Sequence, residues 1–440
     1  MPDPAPADRI GPDDDHPWYW RYRGEPVLLV GASGEDNLFN HLVLENETLE
    51  AHLDRLVDAG GNYIRNTMSD RDPGNVYAFA RDGDRFDLRR FDDAYFQRLE
   101  TLLRLAFDRG IIVQLELWDM WDLTLEPWSR HPFNPRNNIN YTAELSSLPE
   151  VVGFEPAMHP TSHGFFHTVP PLENNGLLLE IQQAWVDRVL DVTLDYPNVL
   201  YCMNNESGEP AEWSRHWAMH TRRRAAERGL SVHTADMRRH NDIMHDTHRT
   251  VYDDTQAYSF VDVSQNTGYP ISDRGLQYRR LLEARDYLAP SPRPINCVKI
   301  YGDHFGAAPK LMRNQFAGLA SSRFHRPPRG PGLNHEAAAI IASVRKFTSE
   351  LDWFRCAPAP ELLSHGEGVY LMAEPGRQYA LAFDGPGRVE LDLRDLPGPA
   401  ELRWMKLHKG KWVRPQRVEP GVQTLETPGD ALWLAMVRVA

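Results

Sequence analysis

The segment "NVLYCMNNESGEP" (Asn198–Pro210) is an apolar, β-rich run that ends in two amides and a carboxyl, Asn204, Asn205 and Glu206. A buried strand with that ending sets a hydrogen-bonding amide beside a group able to give or take a proton. A second run, "RPINCVKIYGD" (Arg293–Asp303), has the same texture but carries Lys299 near its end, followed by Tyr301 and Asp303. An ammonium there can depress a nearby carboxyl pKa or hold an anionic group of a ligand. Other apolar runs close on polar groups too. Arg65 and Asn66 end "GGNYIRN", and Glu116, Trp118 and Asp119 fall in "IIVQLELWDM". Asp236 falls in "SVHTADM", Gln265 and Asn266 in "FVDVSQN", and Arg323 and His325 in "GLASSRFHRP". Such a rim suits a sugar, whose hydroxyls pair with Asn, Arg, Asp and His and whose C–H face stacks on indole. The plainer reading is that the strands of any barrel end in polar residues.

The elements that must position these groups form a repeating alternation. Eight apolar runs qualify as strands: Pro26–Ser33, Asn62–Ser69, Ile111–Met120, Asn198–Glu206, Ser231–Met237, Phe260–Asn266, Pro294–Tyr301 and Gly318–Pro327. Amphipathic segments lie between them. "TLEAHLDRLVDAGG" carries Leu49, Leu53, Leu56 and Val57 on one face, and "LEIQQAWVDRVLDVTLDYP" runs to Pro197. Apolar residues at helical spacing before a Gly or Pro stop predict helices. Eight such units predict a closed (β/α)8 barrel, whose chemistry gathers at the C-terminal strand ends. An open doubly wound sheet is the alternative; "GASGEDN" (Gly31–Asn37) is too poor in glycine for its phosphate loop. The connection over 121–176 is long, aperiodic and rich in aromatics, Asn, His and Pro, as expected of a binding loop over the catalytic face. Beyond Phe354 the texture turns to period two with frequent Gly and Pro, predicting a small antiparallel β-sandwich. The expected division is a barrel over 1–354 and a sandwich over 355–440.

The chain has 440 residues and a formal charge of −14. An acidic balance argues against a nucleic-acid partner. No run approaches a membrane span, and the polar, Pro/Asp-rich start lacks the regions of a signal peptide. A cytoplasmic protein is the direct expectation, with export the alternative if a signal was trimmed. Cys202, Cys297 and Cys356 are far apart and are expected to be buried thiols. Neither a metal nor a cofactor is expected. His240, His245 and His248 have metal-like spacing, but a solvated helix face explains them better, and His159, His163 and His167 suit loop contacts better than zinc.

These residues together resemble clan A glycoside hydrolases. "NVLYCMNNESGEP" looks like that clan's fourth-strand signature, "GGNYIRN" like its second-strand arginine, and "YFQRLETLLRLAFDRGIIVQLELW" like its following helix and third strand. The trailing sandwich resembles the domain appended to several members, including the apiosidase-like group. The resemblance implies that Glu206 is the general acid/base, Asn205 binds the neighbouring hydroxyl and Arg65 orients sugar oxygens. A glutamate beside indole at a strand mouth would have a raised pKa. Retaining members need a second carboxylate about 5–5.5 Å away. The clan places it at the end of the seventh strand, where this sequence has Lys299. Asp303, Asp236, Asp119 or Glu116 could replace it. Alternatively the enzyme inverts, with carboxyls about 6.5–9.5 Å apart. The expected function is hydrolysis of an oligo- or polysaccharide, including one with uronic or sulfated sugars held by Lys299. The alternative is a carbohydrate-binding pseudo-glycosidase. Arg65, Asn66, Trp118, Asp119, Asn205, Gln265, Lys299, Tyr301, Arg323 and His325 are the expected substrate contacts, around Glu206, Asp303 and Asp236 as catalytic groups.

Overall fold

Eight strands follow one another around a closed ring in the computed structural model, which describes residues 9–40, 43–44, 47–72, 74–153, 162–268, 275–302 and 306–439. They are β1 (Leu29–Ala32), β2 (Tyr63–Thr67), β3 (Ile112–Asp119), β4 (Val199–Asn205), β5 (Thr234–Ala235), β6 (Val261–Asp262), β7 (Ile295–Asn296) and β8 (Ser321–Phe324). Parallel ladders join β5 through β1 to β8, and a separate ladder joins β6 to β7. Further hydrogen bonds complete the circle. Ser259 N donates to Thr234 O at 3.0 Å on one side, and Ile300 N donates to Arg323 O at 3.0 Å on the other. The expected barrel is therefore present. β1 and β2 meet so closely that a Cβ on Gly31 would lie 1.7 Å from the Tyr63 carbonyl oxygen.

A helix follows each strand: α1 (Leu49–Asp58), α2 (Asp93–Asp108), α3 (Gly176–Thr193), α4 (Ala211–Glu227), α5 (Asp246–Tyr252), α6 (Leu276–Leu288), α7 (Ala307–Phe316) and α8 (His335–Thr348). Local chemistry starts them. The side chains of Thr48, Asp92, Asn175 and Asn334 accept backbone N–H groups at the starts of α1, α2, α3 and α8. The periodic leucines then face the sheet: Leu49, Leu53 and Leu56 of α1 are buried.

The floor of the ring is a layer of hydrogen-bonded amides around one buried carboxyl, Asp262. Asn296 Nδ2 donates to Gln114 Oε1 at 3.0 Å, and Gln114 Nε2 donates to Asp262 Oδ2 at 2.8 Å. Trp20, from an N-terminal antiparallel ribbon, closes this end and donates Nε1 to Asn296 Oδ1 at 2.9 Å.

From Ala357 onward the strands are antiparallel. Alternate residues explain the period-two texture. Tyr370, Met372, Ala380 and Ala382 pack into the barrel core. Leu371, Leu381 and Phe383 face a two-stranded ribbon, Arg388–Asp392 with Val422–Glu426, that lies over the sheet. The 121–176 connection is less irregular than its sequence suggests, with short helices at Leu125–Arg130 and Ala143–Ser146.

Candidate active site

The C-terminal strand ends open on a cleft of about 1170 Å³, walled on one side by Thr124, Leu125 and Glu126 of the long connection. Glu206, the residue after β4, enters it with φ +56°, a left-handed backbone that costs a non-glycine residue of order 1–3 kcal/mol. Its carboxylate is pinned at both oxygens. Oε1 accepts Lys299 Nζ at 2.5 Å and the Tyr301 hydroxyl at 3.4 Å, and Oε2 accepts Trp121 Nε1 at 3.1 Å. Lys299 also donates to Asn205 Oδ1, and Asn205 Nδ2 donates to Asp119 Oδ1 at 3.0 Å. The other Asp119 oxygen is paired with Arg71. A continuous chain thus runs Arg71–Asp119–Asn205–Lys299–Glu206.

The electrostatics reverse the expectation for Glu206. Burial, the largest single influence, pushes its carboxyl up, but the Lys299 ammonium, joined by Arg65 and His325, draws it down to about 2. At rest this group is a carboxylate, not a proton donor. Asp119 goes the other way: burial raises it and Arg71 only partly compensates. Asp36 is buried too, yet Arg65, His325 and Arg326 hold it well below the usual carboxylate range.

Arg65, Asn205, Glu206, Gln265, Lys299, Tyr301 and His325 all line the cleft. Arg65 is fully buried, however. It donates Nε to Glu116 Oε1 at 2.6 Å and pairs Nη1 with Asp36 Oδ1 at 2.6 Å, so it braces the wall. Glu116 is locked by that arginine and by the Thr67 hydroxyl at 2.6 Å.

Other expected contacts lie elsewhere. Trp118 does not face the cleft; it packs against Trp185 of α3 and Trp213 and Trp217 of α4. Asn66 accepts the Phe39 N–H at 3.3 Å inside the wall. Arg323 is buried beneath the cleft and donates to Val298 O at 2.8 Å. Asp119 is one step behind, under Asn205. Asp236 accepts the Ser207 hydroxyl at 2.7 Å and Arg238 Nη1 at 3.1 Å below the surface. Asp303 lies outside the described residues. Glu209, just past β4, accepts Asn204 Nδ2 at 3.0 Å and the Ser214 hydroxyl at 2.6 Å, and burial lifts it to about 7.

The sequence reading missed Trp121, Arg239, Asp36 and Arg71. Trp121 and Arg239 sit just past strand ends already marked by Asp119 and Asp236, which was the available signal. His240 and His245 are not on a helix face: α5 starts at Asp246, and the two rings stack with centroids 3.9 Å apart, His240 on the cleft rim. His163 is buried and accepts Phe165 N at 3.2 Å, while His159 is outside the described residues. Among the described residues, no group of three or more His, Cys, Asp and Glu is placed to hold a metal, and no helix is long and apolar enough to cross a membrane. The three cysteines are buried thiols.

No family model and no curated protein sequence matches this chain. Solved structures share its fold. A glycoside hydrolase family 5 structure from Bacteroides vulgatus superposes with a TM-score of 0.66 at 11% identity, covering 99% of this chain and 93% of that one. Another glycoside hydrolase gives a TM-score of 0.64 at 10% identity, covering 99% and 97%. A family 5 mannosidase from Rhizomucor miehei, in complex with mannosyl-fructose, gives 0.54 at 13% identity, covering 79% and 100%. The first two of these clan A neighbours extend over nearly the whole chain, and at such identity the property held in common is the fold.

Proposed function

We propose that the protein is a glycoside hydrolase working in the cleft at Glu206, on an oligo- or polysaccharide that presents a carboxylate or sulfate to Lys299. One observation carries this reading: Glu206 leaves β4 in a left-handed conformation and is pinned at the barrel mouth by Trp121, Lys299 and Tyr301. The fold shared with the family 5 hydrolases agrees with it.

The ion pair defines the sequence of events. An anionic group on the substrate competes with Glu206 for the Lys299 N–H donors. With Lys299 engaged elsewhere, burial, the largest single influence on Glu206, raises its pKa and lets it take up a proton. That proton passes to the glycosidic oxygen as the bond to the anomeric carbon breaks. Lys299 holds the position of the second carboxylate, and Glu116, Asp119 and Asp236 are bonded beneath the cleft. Water is therefore the attacking group in this reading, giving its proton to Asp36, an ionised carboxylate on the cleft wall, with a single displacement and inversion at the anomeric carbon.

A panel of neutral and acidic glycans, with proton NMR of the first-formed anomer, tests it. The expected result is cleavage of an acidic glycan with inversion, and a loss of about 10²–10⁴ in turnover for Glu206→Gln with binding retained. Net retention, or an unimpaired Glu206→Gln enzyme, contradicts it. The Lys299–Glu206 pair itself favours a second reading, a glycan-binding pseudo-glycosidase with Glu206 permanently ionised. Its signature is affinity without turnover on every glycan, unaltered in kind by Glu206→Gln.

A further inference from the structure

The two aromatic side chains that hold Glu206 each carry an arginine. Trp121, on Oε2, lies under Arg239, whose Cζ is 5.5 Å from the ring centroid. Tyr301, on Oε1, lies under Arg329, whose Cζ is 5.0 Å from its ring. Both arginines line the cleft. Arg239 follows β5 and Arg329 follows β8, so they stand three strands apart around the ring and flank the reacting carboxylate.

Arg239 differs from its cationic neighbours. Arg65, Arg71, Arg238 and Arg326 are each paired with a carboxylate. Arg239 makes no ion pair among the described residues, and its buried Nη1 has no hydrogen-bond partner there. A guanidinium set over an aromatic face keeps the N–H donors of its own planar fork free of the ring, where a carboxylate or sulfate can accept two at once. In a chain of net charge −14, whose overall field repels polyanions, such a lining is a local feature with a local use.

We infer that the cleft takes a polyanionic glycan with acidic groups on sugars at both sides of Glu206, one met by Arg239 and one by Arg329. The inference rests on the cleft being a glycan site and adds the charge pattern of the chain it accepts. Lys299 then meets the acidic group of the central sugar, while the arginines fix the register of its neighbours.

Calorimetric titration of the full chain with three soluble oligosaccharides of equal length tests this: one uncharged, one with a single acidic sugar, one acidic at every sugar. The fully acidic oligosaccharide is expected to bind most tightly. Arg239→Gln and Arg329→Gln should each weaken it about ten- to a hundredfold, without affecting the uncharged one. Arg239→Lys, which keeps the charge but not the planar fork, should recover only part of the loss. Unchanged melting temperatures separate lost binding from lost folding. Equal affinity for all three oligosaccharides, or a loss in only one of the two arginine variants, overturns the two-sided inference and leaves a glycan site standing. Failure of every glycan to bind overturns the inference and the proposed function together.

Discussion

At the mouth of the barrel Glu206 rests on the Lys299 ammonium and is drawn down to about 2; at the floor, Asp262 receives the amide of Gln114 and the Ser264 N–H, and burial pushes it up to about 6. The two carboxyls belong to one ring of strands. Burial acts on both in the same direction, so burial alone does not separate them. The difference is what the neighbouring strand supplies. β7 brings neutral Asn296 to the floor layer, while the chain beyond it brings Lys299 to the mouth. Amides soften the desolvation of a carboxylate; a full charge overrides it. The mouth thereby keeps its carboxyl ionised far into acid, while the floor carboxyl gives up its proton only near pH 6.

Each substitution that exchanges these conditions should move one region toward the other. The largest effect is on turnover, where Glu206→Gln leaves an uncharged group at the mouth with the loss given above. Lys299→Met comes next. It strands a buried carboxylate and should cost about 3–5 kcal/mol of unfolding free energy near neutral pH. The cost should shrink at pH 4, where Glu206 can protonate; denaturant titration at both pH values measures the difference.

Stability against pH follows, with opposite signs for the two carboxyls. Glu206 is depressed by roughly two units, so its contribution is complete above its unfolded pKa of about 4.5 and is lost as pH falls toward 2. Asp262 is raised by a similar amount, so its contribution is complete below about 3.8 and is lost as pH rises through 6. Each amounts to about 3 kcal/mol. Asp262→Asn should flatten the slope of unfolding free energy between pH 4 and 7 without touching the acid limb. A slope unchanged by that substitution would mean the floor carboxyl titrates normally. The smallest effect is Trp20→Phe, which removes the bond to Asn296 and should cost about 1 kcal/mol in thermal or chemical unfolding.

Much of this was legible in the residues. Leucines at helical spacing and eight apolar runs were enough for a barrel, because each signal is local and repeated. Asn205, Glu206, Gln265, Lys299 and Tyr301 could be placed at the mouth by position alone. Which way a strand-end residue points could not. On β3, Glu116 faces Arg65 inside the ring, yet Trp118, two residues later, faces the helices. Alternation breaks at that strand end, and a period-two reading fails with it. Glu206 also departs from the extended backbone that the preceding strand implies. Its proton affinity was beyond the sequence for a related reason: residues 206 and 299 are distant in the chain, and only the closed ring sets their charges in contact. Trp121 and Arg239 were missed because they lie just past the strands, where no periodicity marks a direction.

The carbon-13 shift of the Glu206 side-chain carboxyl, assigned by its absence in Glu206→Gln and followed from pH 3.5 to 8, reports the state of the ion pair directly. The wild-type signal should stay at its ionised position throughout, and in Lys299→Met it should titrate within that range. A wild-type carboxyl that titrates at 4.5 or above would show that Lys299 does not hold Glu206 ionised, and the account of the mouth would be wrong.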